Sequence, residues 1–330
     1  MEERETADNP LVFTFGLIAD VQYYNPLLYG KKEIKGKPSH PRSRHYLKTP
    51  DRLKEAIETF EQHHAAFAIS LGDLIDRGFE SYDLPLQIME ESSSFPWYHV
   101  LGNHEFTVRT EDKAKVRGKL GMPANYYHFD YGNIRFIVLN ANEYSTLAHP
   151  KGSKLYKESR TMKKHFQEQY RARKDKNNDP WCGPSGMSGA LGSAQLAFLR
   201  QSLEDANTAG QGVILCSHQP IDWIWDYHAF METIRSFRQN IIVFLSGHLH
   251  FGDEDVLEGI PCISLKAMLE SPENAYTLAC VYQDRLELIG YGRQSFKGKK
   301  KNLAKVLLKK LDMVGIPNIR GKKALTIYFD

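Results

Sequence analysis

The sequence has few cysteines and no long apolar run, and both absences narrow what the protein can be. Only four cysteines occur among 330 residues, and none form a C-x-x-C pair, so we expect free thiols and no disulfide framework. The longest apolar run, residues 11–19, is far shorter than the ~20 residues of a membrane-spanning helix. The charged start of the chain lacks the apolar core of a signal peptide. We therefore expect a cytoplasmic protein without a membrane span.

The main part of the chain also lacks a surplus of basic residues. The formal net charge is +3, but residues 296–330 alone carry +8, which leaves −5 for residues 1–295. A dedicated DNA- or RNA-binding domain carries a basic surface, so we expect no nucleic-acid partner. With 42% hydrophobic and 25% charged residues, the composition is typical of a globular protein and excludes a disordered, collagen-like or coiled-coil chain.

Short apolar runs alternate with amphipathic stretches along the chain. The runs predict strands at residues 11–19, 66–71, 97–101, 134–140, 213–217, 241–246, 260–265, 276–282 and 286–289. Residues 51–64 and 193–207 carry apolar side chains at helical spacing. Strands that alternate with helices predict an α/β fold with helices packed outside the sheet.

We expect one catalytic domain, residues 1–295, and a basic C-terminal extension, residues 296–330, packed on it. Two polar segments, residues 23–48 and 153–192, interrupt the alternation and are interpreted as inserts, because long loops in compact domains are often functional. Within the extension, residues 302–313 predict a basic helix with an apolar stripe. That stripe favours packing on the domain over contact with a membrane surface or nucleic acid.

Five of the predicted strands are followed at once by side chains that bind metals. These are two carboxylates, two carboxamides and three imidazoles: Asp20, Gln22, Asp73, Asn103, His218, His248 and His250. The carboxyl ends of strands in α/β sheets form the crevice where ligands bind, so we expect the seven to converge. Such ligands suit Mn²⁺, Fe or Zn²⁺, and the set is too large for one tetrahedral zinc. Two ions ~3.5–4 Å apart that share a carboxylate would use all seven, and such pairs drive displacement at phosphorus.

These motifs resemble those of the calcineurin-like metallophosphoesterase superfamily. The matching stretches are Asp20-x-Gln22, Gly72-Asp73-x-x-Asp76-Arg77-Gly78, Gly102-Asn103-His104-Glu105, His218 and Gly247-His248-x-His250. The resemblance implies two packed mixed β-sheets flanked by helices. It implies that one metal is held by Asp20, Gln22, Asp73 and His250. It implies that a second is held by Asp73, Asn103, His218 and His248, with Asp73 as the bridge.

The resemblance also implies roles in catalysis. A metal-bridging hydroxide would attack phosphorus. His104 would stabilise the developing charge or protonate the leaving oxygen, a contribution of ~10²–10⁴-fold for a general acid. Asp76 and Arg77 would brace the metal-binding loop by a local ion pair rather than act on the substrate.

One position departs from the common pattern, because most members have D-x-H where this chain has Asp20-Val21-Gln22. A carboxamide oxygen is a harder ligand than imidazole, so it should weaken zinc relative to manganese or magnesium. The glutamine and residues 188–196 resemble the subgroup of manganese-dependent ADP-ribose/CDP-alcohol diphosphatases. That resemblance implies cleavage of the pyrophosphate of ADP-ribose, CDP-choline, CDP-glycerol or similar nucleoside diphosphate compounds. It also implies two Mn²⁺ ions, with Mg²⁺, Fe or Zn²⁺ as the alternatives.

Substrate contacts are expected from Tyr23, Arg44 and Tyr46 in the first insert and from Trp223 after His218. Two other functions remain open. One is a phosphomonoesterase, protein phosphatase or cyclic-nucleotide phosphodiesterase of the same superfamily, against which Gln22 and the Tyr/Arg-rich insert argue. The other is a non-enzymatic scaffold on the same fold, against which the complete ligand set argues. We expect a monomer that acts on a small molecule.

Overall fold

Two β-sheets of six strands each form the centre of the structure, a computed structural model that describes residues 10–25, 44–173, 178–297 and 302–307. The strands are β1 (Leu11–Ile18), β2 (Ala68–Ser70), β3 (Trp97–His99), β4 (Tyr127–Tyr131), β5 (Ile134–Val138), β6 (Gly212–Cys216), β7 (Ile241–Ser246), β8 (Phe251–Leu257), β9 (Ile260–Lys266), β10 (Ala275–Tyr282), β11 (Arg285–Gly292) and β12 (Leu303–Leu307). The α-helices are α1 (Thr49–Gln62), α2 (Asp83–Ser92), α3 (Val116–Lys119), α4 (Lys154–Ala172), α5 (Gly192–Thr208) and α6 (Tyr227–Arg235).

Each sheet has a parallel part bordered by antiparallel strands. The first sheet has the order β12-β11-β10-β1-β2-β3, and the second has the order β4-β5-β6-β7-β9-β8. Strands β1, β2 and β3 are parallel to one another, as are β5, β6, β7 and β9. The remaining pairs are antiparallel. The carboxyl ends of the parallel strands therefore meet at one edge of each sheet, the edge where α/β proteins bind ligands.

Aromatic side chains join the two sheets face to face. The ring centroid of Phe136 on β5 lies 5.3 Å from that of Phe15 on β1 and 5.1 Å from that of Phe67, which directly precedes β2. All three side chains are buried. Burial of each such ring contributes about 1.5–3 kcal/mol, and the interlocked rings fix the distance between the sheets.

Helices cover the outer face of each sheet. The ring of Phe60 on α1 lies so close to Gly16 of β1 that a Cβ atom there would be 2.4 Å from it, so only glycine fits. On the other side, Leu199 of α5 and Phe230 of α6 pack in the core that backs the second sheet. This order of helix, sheet, sheet and helix confirms the predicted α/β fold. Within the described ranges, no helix has the length and apolar character needed to cross a bilayer.

The basic extension differs from its prediction. Where residues 302–313 were expected to form a helix, residues 303–307 form β12 and pair with β11 in an antiparallel register. The helix prediction is therefore wrong for this segment, because the open edge of β11 offers backbone partners that helical spacing cannot reveal. Leu303, Ala304 and Val306 are buried. Residues 308–330 lie outside the described residues.

The second insert contains a helix, whereas most of the first lies outside the described residues. The second insert, expected as loop, contains the 19-residue helix α4, whose start is capped by Ser153 Oγ accepting the Tyr156 N–H at 3.2 Å. The helix is mostly exposed and rich in charged residues, and this polar composition led to the loop prediction. Most of the first insert, residues 26–43, lies outside the described residues. The chain rejoins the structure at Arg44, which forms an isolated bridge with Glu270.

Candidate active site

The predicted ligand side chains gather at the edge where the parallel strands end. Ligand atoms of Asp20, Asp73 and His218 lie within 4.8 Å of one another, and all three residues are buried. Asp73 occupies the middle, with its Oδ2 atom 3.1 Å from His218 Nε2 and 3.1 Å from Gln22 Nε2. Side chains from the turns that follow β1 and β6 thus meet at the carboxylate that follows β2.

Two groups of ligands flank this central carboxylate. On one side, His250 Nε2 lies 3.4 Å from Asp20 Oδ1 and 3.2 Å from Gln22 Nε2. On the other side, His248 Nδ1 lies 3.3 Å from His218 Nε2. Asp20, Gln22 and His250 belong to one ligand set implied by the family resemblance, and His218 and His248 belong to the other.

The donor set fits divalent cations. Among the described residues, Asp20 Oδ1 and Asn103 Oδ1 are buried oxygens with no hydrogen-bond partner, a situation that costs about 1–3 kcal/mol per group. A cation would satisfy both oxygens and would separate the crowded imidazole nitrogens. Gln22 Nε2, rather than Oε1, contacts Asp73 and His250, so the carboxamide must turn over to offer its oxygen to an ion.

An unusual backbone conformation directs several of the candidate ligand side chains toward the site. Four of the candidate ligands have positive φ angles: Asp20 (51°), Gln22 (43°), Asp73 (55°) and His248 (68°). The left-handed region costs a non-glycine residue about 1–2 kcal/mol, and such strain concentrates at functional sites. The turn after each strand therefore redirects a side chain from the sheet face toward the shared centre.

Glu105 ties two of the ligand-bearing turns together. Its buried carboxylate accepts the backbone N–H groups of Asp73 at 2.8 Å, Leu74 at 2.6 Å and Gly102 at 2.8 Å. Burial, together with the charge of Asp73, raises the pKa of Glu105. A Cβ atom on Gly102 would lie 2.2 Å from Asp73 Oδ1, so glycine is required where the two turns touch.

The buried charges determine how protons are held in the cluster. Burial raises the pKa of Asp73, but the charges of His218 and His104 outweigh it and hold that pKa below its usual range. Burial alone would lower the pKa of His218, and the Asp73 carboxylate raises it overall. For His250, Asp20 and Glu270 overcome burial and raise the pKa to about 9. Burial lowers the pKa of His248 to about 3. A metal must therefore displace protons from His218 and His250 to bind.

His104 is oriented by the turn after β2. Its Nδ1 atom lies 2.8 Å from the carbonyl oxygen of Asp76 and 3.4 Å from Asp76 Oδ1. A carbonyl oxygen only accepts, so Nδ1 carries a hydrogen and Nε2 is the free ring nitrogen. Arg77 Nε donates to Asp76 Oδ2 at 2.6 Å, which is the local ion pair expected from the sequence. The Asp76 carboxylate thus lies between Arg77 and His104.

A cavity of about 590 Å³ opens over the cluster, a size suited to a small-molecule ligand. His104 lies in its lining beside the candidate ligands Asp73, Asn103, His248 and His250. The apolar part of the lining is Met187, Trp223, Leu249 and Phe251, and further charges come from Arg44, Glu270 and Arg293. Phe251 is 71% exposed, which leaves its ring available to a bound molecule.

The four side chains predicted to contact substrate have different positions. Arg44 and Trp223 line the cavity, and the Trp223 ring packs edge-on against His248 at 5.1 Å. Tyr46 lies outside the lining, with its ring 6.1 Å from that of Tyr24. The expectation for Tyr23 is wrong. Its backbone bridges to the chain after β2, and its side chain, 5% exposed, packs in the core between the sheets.

Glu270 is a site residue that the sequence reasoning missed. Its Oε1 atom accepts the Nδ1–H of His250 at 2.7 Å and lies 3.5 Å from Arg44 Nε. The turn that holds Glu270 follows β9, which is parallel to β7. Glu270 therefore follows the carboxyl end of a sixth strand, in the same way as the predicted ligands follow the other five. Met187, Phe251 and Arg293 were also missed, because no motif marks them.

Known proteins are similar to this chain in sequence and in fold. Residues 13–252 match the family model described as Calcineurin-like phosphoesterase. A protein of Oryza sativa subsp. japonica is 32% identical over 84% of this chain and 91% of its own length. One of Arabidopsis thaliana is 30% identical over 87% of this chain and 96% of its own length. Both are named manganese-dependent ADP-ribose/CDP-alcohol diphosphatase. The crystal structure of a dimetal phosphatase from Danio rerio matches with a TM-score of 0.73 at 25% identity, over 91% of this chain and 100% of its own.

Removing the carboxylate of Glu270 should weaken metal binding through His250. We expect Glu270→Ala to lower Mn²⁺ affinity about 10–100-fold, because a carboxylate behind a metal-binding imidazole fixes its tautomer and orientation. Glu270→Gln, which keeps an acceptor oxygen, should lose less. Glu273→Ala, at a nearby exposed carboxylate, is the matched control. Calorimetric titration with Mn²⁺ measures the effect, and equal affinities in Glu270→Ala and the control would contradict the role.

Proposed function

The chain belongs to the calcineurin-like phosphoesterase family, and we propose that it hydrolyses the pyrophosphate of ADP-ribose, CDP-choline, CDP-glycerol or similar nucleoside diphosphate compounds. The products are a nucleoside monophosphate and a phosphorylated sugar or alcohol. The observation that carries the proposal is the convergence of the candidate ligands on Asp73, beneath a cavity of nucleotide-compatible size with apolar and cationic walls. The activity named for the plant relatives supports the choice of substrate.

The proposed ligand sets follow the two groups around Asp73. Asp20, Gln22, Asp73 and His250 would hold one ion, and Asp73, Asn103, His218 and His248 would hold the other. Two divalent ions, when bound, supply Lewis-acid polarisation of the phosphoryl oxygens and a nucleophile drawn from water. The oxygen-rich first set, with a glutamine in place of histidine, favours Mn²⁺ over Zn²⁺. The relatives named manganese-dependent support the same choice.

His104 acts as the general acid that protonates the leaving group. Hydrolysis adds the oxygen of water to one phosphorus atom, breaks the bond from that phosphorus to the bridging oxygen, and leaves a negative charge on that oxygen. With Nδ1–H held by the Asp76 carbonyl, the protonated ring presents Nε2–H to the cavity. The Asp76 carboxylate lies 3.4 Å from Nδ1, and the ring donates its Nε2 proton to the leaving oxygen.

The cavity walls suit the two ends of such a substrate. Arg44, which is fixed by Glu270 at 3.5 Å and by Asp76 at 3.7 Å, presents a guanidinium fork that matches phosphate oxygens. Trp223 and Phe251 offer aromatic faces to a nucleobase, which is recognised by stacking. This arrangement supports a nucleotide over a phosphoprotein, because an extended peptide does not need a flat aromatic wall.

We propose further that the protein acts as a monomer in the cytoplasm, on a small molecule and not on nucleic acid. All four cysteines are free thiols, as in reducing compartments. The net charge of −5 for residues 1–295, derived from the sequence, disfavours a nucleic-acid backbone as the partner.

The substrate is tested by hydrolysis with metal-stripped protein that is resupplied with Mn²⁺, Mg²⁺ or Zn²⁺. We expect Mn²⁺-dependent release of AMP from ADP-ribose and of CMP from CDP-choline, because two bound ions would polarise the phosphoryl oxygens of the pyrophosphate. Activity toward p-nitrophenyl phosphate, a phosphopeptide and 2′,3′-cyclic AMP should be much weaker. Preference for any of these three would move the protein to another activity of the same family, and binding of metal without hydrolysis of any substrate would revive the scaffold hypothesis.

Loss of the proton donor should slow turnover without loss of metal. We expect His104→Gln to reduce kcat about 10²–10⁴-fold while the Mn²⁺ content stays unchanged, because His104 is not among the proposed ligands. His165→Gln, at an exposed histidine of α4, is the matched control. Steady-state kinetics and metal analysis give the two readouts. Near-normal kcat in His104→Gln would remove His104 from the mechanism.

A further inference from the structure

A second concave surface lies on α4, away from the catalytic cluster. This surface, here called the α4 groove, has a volume of about 930 Å³ and is lined by one face of α4 and by Thr146. Its charged lining residues are Lys157, Arg160, Lys163 and Lys164, and none of the described residues that line it is acidic. The groove is therefore strongly positive and of ligand size.

Three of the four cations that line the α4 groove have no carboxylate partner among the described residues. Within the described parts of the chain, Lys157, Arg160 and Lys163 have no carboxylate within salt-bridge distance. Of the acidic residues of α4, Glu158 pairs with Lys154 at 3.8 Å, outside the groove, and Glu168 pairs with Lys164 of the groove at 3.9 Å. Like charges three or four residues apart on a helix repel each other. The groove thus carries an electrostatic cost that a bound anion would remove.

Lys163 is held in place and connects the groove to the active site. Its ammonium lies 5.6 Å from the ring centroid of Trp225, a buried side chain whose Nε1–H donates to Ser188 Oγ at 3.0 Å. Burial lowers the pKa of Lys163. Its Nζ lies 3.8 Å from the Cβ position of Gly186. The next residue, Met187, lines the catalytic cavity, so groove and cavity border the same short segment.

We propose that the α4 groove binds an additional phosphate group of the substrate, separate from the pyrophosphate that is cleaved. The inference rests on the proposed function and extends the substrate class to phosphorylated nucleoside diphosphate compounds. A guanidinium, ammonium groups and neutral hydroxyls are donors that suit phosphate oxygens. The volume of the groove, about 930 Å³, and its position near the catalytic cavity favour a small phosphate over nucleic acid or a membrane surface.

Kinetics with matched substrates test the proposal. The Mn²⁺-loaded protein is assayed with ADP-ribose and CDP-glycerol, and with analogues that carry a further phosphate on the nucleoside ribose (ADP-ribose 2′-phosphate) or on the free primary hydroxyl of glycerol. We expect about a tenfold lower KM for one analogue than for its parent, and loss of this difference in Arg160→Gln and Lys163→Gln. Lys154→Gln, the same charge change on α4 outside the groove, should keep it. Equal KM values for both pairs, or the same loss in Lys154→Gln, would overturn the proposal.

A binding measurement separates failure of the groove from failure of the proposed function. The Mn²⁺-loaded His104→Gln variant is acetylated with and without ADP-ribose 2′-phosphate and the phosphorylated CDP-glycerol, and modified lysines are located by mass spectrometry. We expect at least one analogue to protect Lys157 and Lys163, while Lys154 stays reactive. Hydrolysis of ADP-ribose without protection by either analogue would overturn the groove alone. Protection without hydrolysis of any nucleoside diphosphate by the wild type would overturn the proposed function alone.

Discussion

The carboxylate of Asp73 lies in the interior within 3.1 Å of both His218 and Gln22, and much of the surrounding structure compensates its burial. Imidazole charges hold its pKa down, the N–H of His104 donates to Oδ1 at 2.7 Å, and Glu105 holds its backbone. A buried charge of this kind is costly unless it is paired. The strained turn at Asp73 and the glycine packed against it follow from this requirement, and a divalent cation pair would meet it most fully.

Arg44 links parts of the site that are distant in the sequence. Its guanidinium lies 3.5 Å from Gln22 Oε1, 3.7 Å from Asp76 Oδ1 and 3.5 Å from Glu270 Oε1. Gln22 is a proposed ligand of the first ion, Asp76 contacts the proton donor His104, and Glu270 contacts the ligand His250. A substrate phosphate that binds Arg44 would therefore change its contacts with both the metal ligand Gln22 and Asp76, the partner of the proton donor His104. Substrate binding would in this way be coupled to the alignment of the catalytic groups.

The sequence predicts what depends on local pattern and misses what depends on distant pairing. The candidate ligands could be found because each follows an apolar strand within a few residues. Glu270 follows a strand at the same distance as Gln22, four residues after its end, but no motif marks it. The strand at residues 303–307 could not be found, because only pairing with β11 favours it over a helix. Tyr23 carries the side chain expected of a binding residue, yet its bridge to Ile75 turns it into the core.

The bridging role proposed for Asp73 is tested most directly by counting the Mn²⁺ ions bound per chain and recording their electron paramagnetic resonance spectrum. We expect two ions per chain with an exchange-coupled spectrum, since ions that share a carboxylate lie about 3.5–4 Å apart, and we expect the coupling to vanish in Asp73→Asn. A single ion per chain, two uncoupled ions, or coupling that survives in Asp73→Asn would contradict a two-metal site built on this carboxylate.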